Sequence, residues 1–241
     1  MKVILLIFVL VSCVGQQALE PENKAQNEEL ITSCDYSNIS SSLRTPKTID
    51  EVTDLINALP KPLSLPCFIE SLSRPLKVSL TLSKLSAQPA VGNDTPRIFL
   101  FIDNLILSVA PDGKGKDLLE LSLLYTDRKS LKAELEFPIY EEISYTAGFD
   151  RIDIGGRSSC NGCHNAEAVD PSITNAIAYT SVAIKPETYM DLTDFQHENY
   201  KCELATNLDY RCQMIMSLFK FDQLDSEIFR AGTPRWIDTV L

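Results

Sequence analysis

In the run LKVSLTLSKL, beginning at Leu76, apolar and polar residues change places at every step. Leu76, Val78, Leu80 and Leu82 alternate with Lys77, Ser79, Thr81 and Ser83. A period of two is the mark of a half-buried strand, because successive side chains of a strand point to opposite faces. It excludes an amphipathic helix here, whose apolar residues would recur three and four apart. The same rhythm returns in SLKAELEF, where Leu131, Ala133, Leu135 and Phe137 are expected to face a core and Lys132, Glu134 and Glu136 to face water. RIFLFI and LILSV flank Asp103-Asn104, a hairpin turn by composition. PDG at 111–113 is another turn, and LLELSLLY follows it. With EEISYTAGFDRIDI read as the last member, about six strands with close turns predict an antiparallel β-sandwich or barrel.

This β region, at roughly 74–154, is preceded by one helix. In TIDEVTDLINALP, Thr48 and Glu51 stand three apart as a capping box does, and Ile49, Val52, Ile56 and Leu59 fall on one face. Pro60 and Pro62 end it. After Gly155-Gly156 the character changes. Residues 157–241 hold four of the seven cysteines, both histidines and the only tryptophan, Trp236. NLDYRCQMIMSLFKF is the best helix of that half, with shorter helices expected near 187–196 and 222–230. The fold class is therefore α+β: a β domain at 47–155, then a mostly helical and irregular segment at 156–241.

The N-terminus bears on compartment. One basic residue, Lys2, precedes an apolar run from Val3 to Val11. That run has the length of a signal-peptide core and is too short to span a bilayer. Its end, Leu10-Val11-Ser12-Cys13, resembles the bacterial lipoprotein box. The resemblance implies a signal peptide at 1–12, cleavage before Cys13, and a lipid on that cysteine that anchors the chain to the membrane of the cell envelope. An ordinary cleaved signal that discards Cys13 is the other reading. Residues 13–46 are dominated by Glu, Gln, Asn and Ser and read as a flexible tether.

Export makes disulfides available. Setting Cys13 and the close pair Cys160 and Cys163 aside leaves Cys34, Cys67, Cys202 and Cys212. Four cysteines allow three pairings, and proximity favours Cys34 with Cys67 and Cys202 with Cys212. The net charge of −11 argues against nucleic acid as a partner, since phosphates are met by Lys and Arg. It suits a body that docks to a basic partner protein.

One motif carries chemistry. Residues 160–164 read CNGCH. This spacing resembles the attachment site of cytochromes c. The resemblance implies thioether bonds from Cys160 and Cys163 to a covalent haem c, and His164 as the proximal iron ligand. Three other readings compete: a disulfide between the two cysteines, half of a zinc site completed by His197, Cys202 or Cys212, and a thioredoxin-like redox pair. The likeness to cytochromes c extends little beyond these five residues, because a strand-like FDRIDIGG stands where their preceding helix would be. More broadly the chain resembles exported bacterial proteins with a β-rich half, a CxxCH segment and a late cysteine pair.

The expected function is a membrane-anchored haem protein that passes electrons outside the cytoplasm to a redox partner. A sixth iron ligand would then be needed, with Met214 or Met216 the candidates and Met190 and His197 behind them. The alternative is a binding or structural lipoprotein whose β domain contacts protein or glycan, with CNGCH as a haem or metal staple. No Ser/His/Asp set or phosphate loop points to a hydrolase or a nucleotide enzyme. A haem peroxidase stands third, since no distal acid–base pair is visible.

Overall fold

The computed structural model describes residues 34–84 and 86–240. Cys13, the signal peptide and most of the tether lie outside the described residues. Helix α1 (Ile49–Ala58) starts as expected, with the Thr48 hydroxyl accepting from the Glu51 N–H at 3.2 Å. The reciprocal arm is displaced by one residue: Glu51 accepts from the backbone of Lys47 at 2.5 Å. Helix α2 (Leu65–Ser71) follows, capped by Ser64. Strands β1 (Leu76–Thr81), β2 (Arg97–Ile102), β3 (Leu105–Val109), β4 (Leu118–Thr126) and β5 (Lys129–Glu136) then form an antiparallel meander. Asp103 and Asn104 make the β2–β3 turn, with Asp103 at φ 55°.

The remaining elements depart from expectation in several places. EEISYTAGFDRIDI holds helix α3 (Ala147–Ile152) rather than a strand. Short strands β6 (Ala168–Val169), β7 (Tyr179–Val182) and β8 (Tyr189–Met190) come next. Helix α4 is Leu192–Glu203, so the stretch expected as a helix near 187–196 is helical only from 192, with the two-residue strand β8 before it. Helix α5 (Tyr210–Phe219) lies where its periodicity placed it. The stretch 222–230 holds strand β9 (Leu224–Ser226) instead of a helix, and α6 (Ile237–Val240) is the last described element.

All nine described strands belong to one open sheet, in the order β6-β7-β5-β4-β3-β2-β1-β8, with β9 sharing the outer edge of β1. It is neither a sandwich nor a barrel. Every pairing is antiparallel except β1 with β9. Alternation in sequence records that one face of a strand is buried; it does not record whether helices or a second sheet do the burying. Strands β6–β9, from 156–241, complete the sheet begun in 47–155, and Ser33–Leu241 form one compact unit. Residues 34–46, read as tether, are tied to that unit by the Cys34–Cys67 disulfide and by Arg44, whose Nε donates to the Ser71 carbonyl at 2.5 Å.

The register defines two unlike faces. One carries the row Val78–Leu100–Leu107–Leu121–Ala133, all buried. Phe68 of α2 meets Phe137 beyond β5 on this side, with ring centroids 5.8 Å apart. Gly148 of α3 lies so close to Ala133 that a Cβ there would sit 3.1 Å from the alanine methyl. The opposite face carries the rows Ser79–Phe99–Ser108–Glu120–Glu134 and Lys77–Phe101–Ile106–Ser122–Lys132–Tyr179. Its β2–β3 half is apolar and covered by Phe229, which stands edge-on to Phe99 and Phe101. Its β4–β5–β7 half is polar, and yet Lys132, expected in water, is only 6% exposed.

Candidate functional site

What covers that polar half is the CNGCH segment. The chain leaves α3, forms a bridge between Asp153 and Ser158, and turns tightly at Gly155 and Gly156. Both glycines have φ of 84°, a left-handed conformation that side-chain-bearing residues resist. Residues Ser159–Gly162 form a single 3-10 turn. Ser158 caps it, its hydroxyl accepting from the Cys160 N–H at 3.1 Å. Glu167 fastens the turn from below: it accepts from the Ser158 N–H at 3.0 Å, from Asn161 Nδ2 at 3.1 Å, and from the Ser158 hydroxyl. The N–H groups of Cys163 and His164 both donate to the Cys160 carbonyl, at 3.1 and 2.9 Å. This closed turn brings the side chains of residues 160 and 164 to neighbouring positions, as residues four apart are on a helix.

His164 is fixed to the sheet. Its Nδ1 lies 2.8 Å from the Val182 carbonyl of β7. A carbonyl only accepts, so Nδ1 carries the proton and Nε2 keeps its lone pair. Burial pushes the imidazole down to about 3, and the nearby Lys132 charge pushes in the same direction, so the ring is neutral. Asn165 extends the attachment, its carbonyl accepting from the Val182 N–H at 3.0 Å.

Lys132 lies beneath the motif on β5. Burial lowers its pKa to about 8 against the opposing pull of Cys160 and Glu120. Its Nζ donates to Ser122 Oγ at 3.2 Å. The Cys160 thiol is pushed up to about 11 by burial, with Lys132 opposing the rise. Around them the other charges are matched. Arg97 donates to Glu120 at 2.5 Å, and Arg151 donates to Glu134 at 2.9 Å. Tyr179 donates to Asp153 at 2.8 Å. The hydroxyls of Ser130 and Ser181, facing residues on β5 and β7, are buried without a hydrogen-bond partner among the described residues.

The cysteines sort cleanly. Cys34 pairs with Cys67 and Cys202 with Cys212, with Cα atoms 5.2 and 5.1 Å apart. Cys160, half-buried, and Cys163, exposed, are free thiols. The Cys202–Cys212 bond removes both from any zinc set, and His197 is exposed on α4. Among the described residues no three His, Cys, Asp or Glu side chains gather as a metal site. A thioredoxin-like nucleophile needs a thiol with a lowered pKa, and Cys160 has the reverse. Met214 and Met216 lie on α5, which packs against α2 and α4; Met214 is fully buried there. Met190 is on β8, at the far edge of the sheet from β7. The structure thus gathers Cys160, Cys163 and His164 and does not bring these methionines to them.

Sequence reasoning missed Lys132, Glu120, Arg97, Ser122, Ser130 and Ser181. Period two placed Lys132 on the face opposite Leu131 and Ala133, but nothing local in SLKAELEF marks that face as covered by residues some thirty positions later. Comparison with protein-family models, with curated proteins and with solved structures finds no match.

Two free thiols three apart, one exposed and one half-buried, with a neutral imidazole whose Nε2 is unprotonated, form a donor set that fits a c-type haem. Imidazole ligands to metals commonly hold their second nitrogen on a carbonyl, as His164 does with Val182.

Proposed function

We propose that this chain is a c-type haem protein that carries electrons outside the cytoplasm. Cys160 and Cys163 would hold the haem through thioether bonds, and His164 Nε2 would be the proximal iron ligand. One observation carries the reading: four of the six described cysteines close as disulfides, and the two left as thiols are those of CNGCH. The attached haem supplies reversible one-electron chemistry at its iron. The chain's own part is to hold and orient. Val182 fixes the imidazole tautomer and ring direction, Glu167 and Ser158 hold the turn, and Gly155-Gly156 allow the approach. The acidic body, with net charge −11, favours encounter with a basic redox partner and disfavours nucleic acid. Cys13 would carry the lipid that keeps the protein on a bacterial envelope membrane.

The test is expression in hosts with and without a cytochrome c maturation system. Protein from the competent host should keep a haem-staining band after denaturing electrophoresis. Cys163→Ser should weaken that band, and the incompetent host should give none. A colourless wild-type band from the competent host overturns the proposal. A second reading, a binding lipoprotein, draws on a different surface. A cavity of about 310 Å³ lined by Lys185, Tyr189, Ile228, Phe229 and Arg235 opens there, with Ile228 78% exposed. A protein that is colourless, with this surface protected on adding a ligand, would favour it.

A further inference from the structure

We propose that the surface around Phe221, beside the point where the described chain begins, docks on an anionic phospholipid bilayer, an inference that rests on the lipid-anchor reading of Cys13 above. Phe221 stands two residues beyond α5 and is 56% exposed. Its φ of 70° and ψ of 15° are left-handed, a conformation that a bulky aromatic residue adopts only where its surroundings impose it. They impose it from both sides. The Lys220 carbonyl accepts from Arg74 Nε at 3.1 Å, and the Gln223 carbonyl accepts from the Leu76 N–H at 2.9 Å. A strained backbone that holds an aromatic ring out in water costs the isolated body free energy. Such strain is expected where the ring meets an apolar partner.

Two observations point to lipid as that partner. The first is charge. Arg44, Lys47 and Lys77 line a cavity of about 230 Å³, with Asp103 as the one acid among the described residues there, in a chain of net charge −11. Leu76, which bonds Gln223, lines the same cavity and so sets it beside Phe221. Arg44 joins the two from the other side. Its guanidinium lies 4.7 Å from the Tyr36 ring centroid, Tyr36 donates to Glu70 at 3.3 Å, and Glu70 pairs with Lys220 at 3.2 Å. Among the described residues Arg44 has no carboxylate partner; its Nε donates to the Ser71 carbonyl. The pairs Lys47–Asp103 and Lys77–Glu227, at 2.9 and 3.6 Å, are exposed and therefore weak in water, so lipid phosphates can share their ammonium groups. The second observation is the path of the chain. Residues 14–33 lie between Cys13 and Cys34, about 70 Å at full extension. Cys34 is bonded to Cys67, and Tyr36 meets Glu70 beside Lys220, so the chain that leads from the lipid joins the body next to Phe221. A lipid on Cys13 would hold this face within that span of a bilayer and raise its effective concentration there. A ring to enter the interface and cations for the headgroup phosphates are the parts such a contact needs.

The test uses the mature protein reconstituted into vesicles of phosphatidylcholine and phosphatidylglycerol in equal parts. Phe221→Trp in a Trp236→Phe chain puts the only indole at the contact. Its fluorescence should shift to the blue and be quenched by brominated lipid, and should do neither in phosphatidylcholine alone. Lys47→Gln and Lys77→Gln should each lower the ratio of docked to free protein about fivefold. Phe221→Gly should raise the unfolding temperature of the protein in detergent, since glycine adopts this φ without strain. An unquenched indole, quenching indifferent to lipid charge and to both lysines, or a Phe221→Gly protein that melts lower overturns the proposal. So does an indole that becomes buried in detergent as protein concentration rises, which would make a second copy the occupant. Fatty-acid labelling of Cys13 is read on the same preparation. Labelled protein with an unquenched indole overturns the docking face alone, and unlabelled protein overturns the anchor reading and this inference together.

Discussion

Arg211 joins three segments that the chain keeps far apart, and its removal should be costly. It lies on α5. Its Nε donates to Thr95 Oγ1 at 2.9 Å, and its Nη2 donates to the Asp94 carbonyl at 2.8 Å and to Glu198 Oε2 on α4 at 2.6 Å. The arginine and glutamate side chains are 18% and 9% exposed. Arg211→Met keeps most of the apolar stem and removes these bonds. Each bond to a charged group contributes about 1.5–3 kcal/mol, which would sum to more than 4 kcal/mol if nothing relaxed. Lys201 still donates to the other oxygen of Glu198 at 2.6 Å, and water can reach the exposed rim. The expected loss is therefore about 3 kcal/mol, or roughly 6–12 °C in Tm for a unit of this size. Urea unfolding of Arg211→Met, Glu198→Gln and the double variant would give the coupling directly, expected near 2 kcal/mol. pH supplies an independent check. Burial alone would raise the Glu198 pKa, but the bonds from Lys201 and Arg211 outweigh it and hold the carboxylate below its ordinary 4.5. Below pH 4.5 the unfolded chain then binds the proton first, so this stabilisation is present above that pH and is lost as pH falls through the lower folded value. Glu198→Gln should flatten that part of the profile. An Arg211→Met cost under about 1 kcal/mol with an additive double variant would refute the argument that the pair is effectively buried.

The two disulfides should differ in worth. Loop-closure entropy gives about 4 kcal/mol for Cys34–Cys67, which spans 33 residues, and about 3 kcal/mol for Cys202–Cys212, which spans 10. Serine pairs at each site, unfolded in urea, would check the order; a larger loss at the shorter loop would refute the entropic account. At the N-terminus, labelled fatty acid should enter the wild type and not Cys13→Ala. Mature protein that starts beyond residue 13 would end the lipid-anchor proposal.

Local pattern determined a good deal of this protein. Alternation placed β1 to β5 and their inward residues, because a strand exposes its period wherever one face meets a core. Helix α1 was legible from Thr48, Glu51 and its apolar stripe, and α5 from spacing alone. Proximity anticipated both disulfides, and CNGCH stood out because its three chemical groups are covalent neighbours. What tertiary structure decided was everything that depends on which surface covers which. Helices rather than a second sheet bury the apolar face, so there is no sandwich. The strands of 168–226 are two to four residues long, too short to declare a period, and exist because an older edge was open to pair with them. Glycines at 155 and 156 fold the CNGCH turn back over β4, β5 and β7. That return makes Lys132 a buried amine, whereas its neighbours in sequence mark it only as the polar half of an alternating strand. Burial is a property of two surfaces meeting, and the sequence around Lys132 holds only one of them.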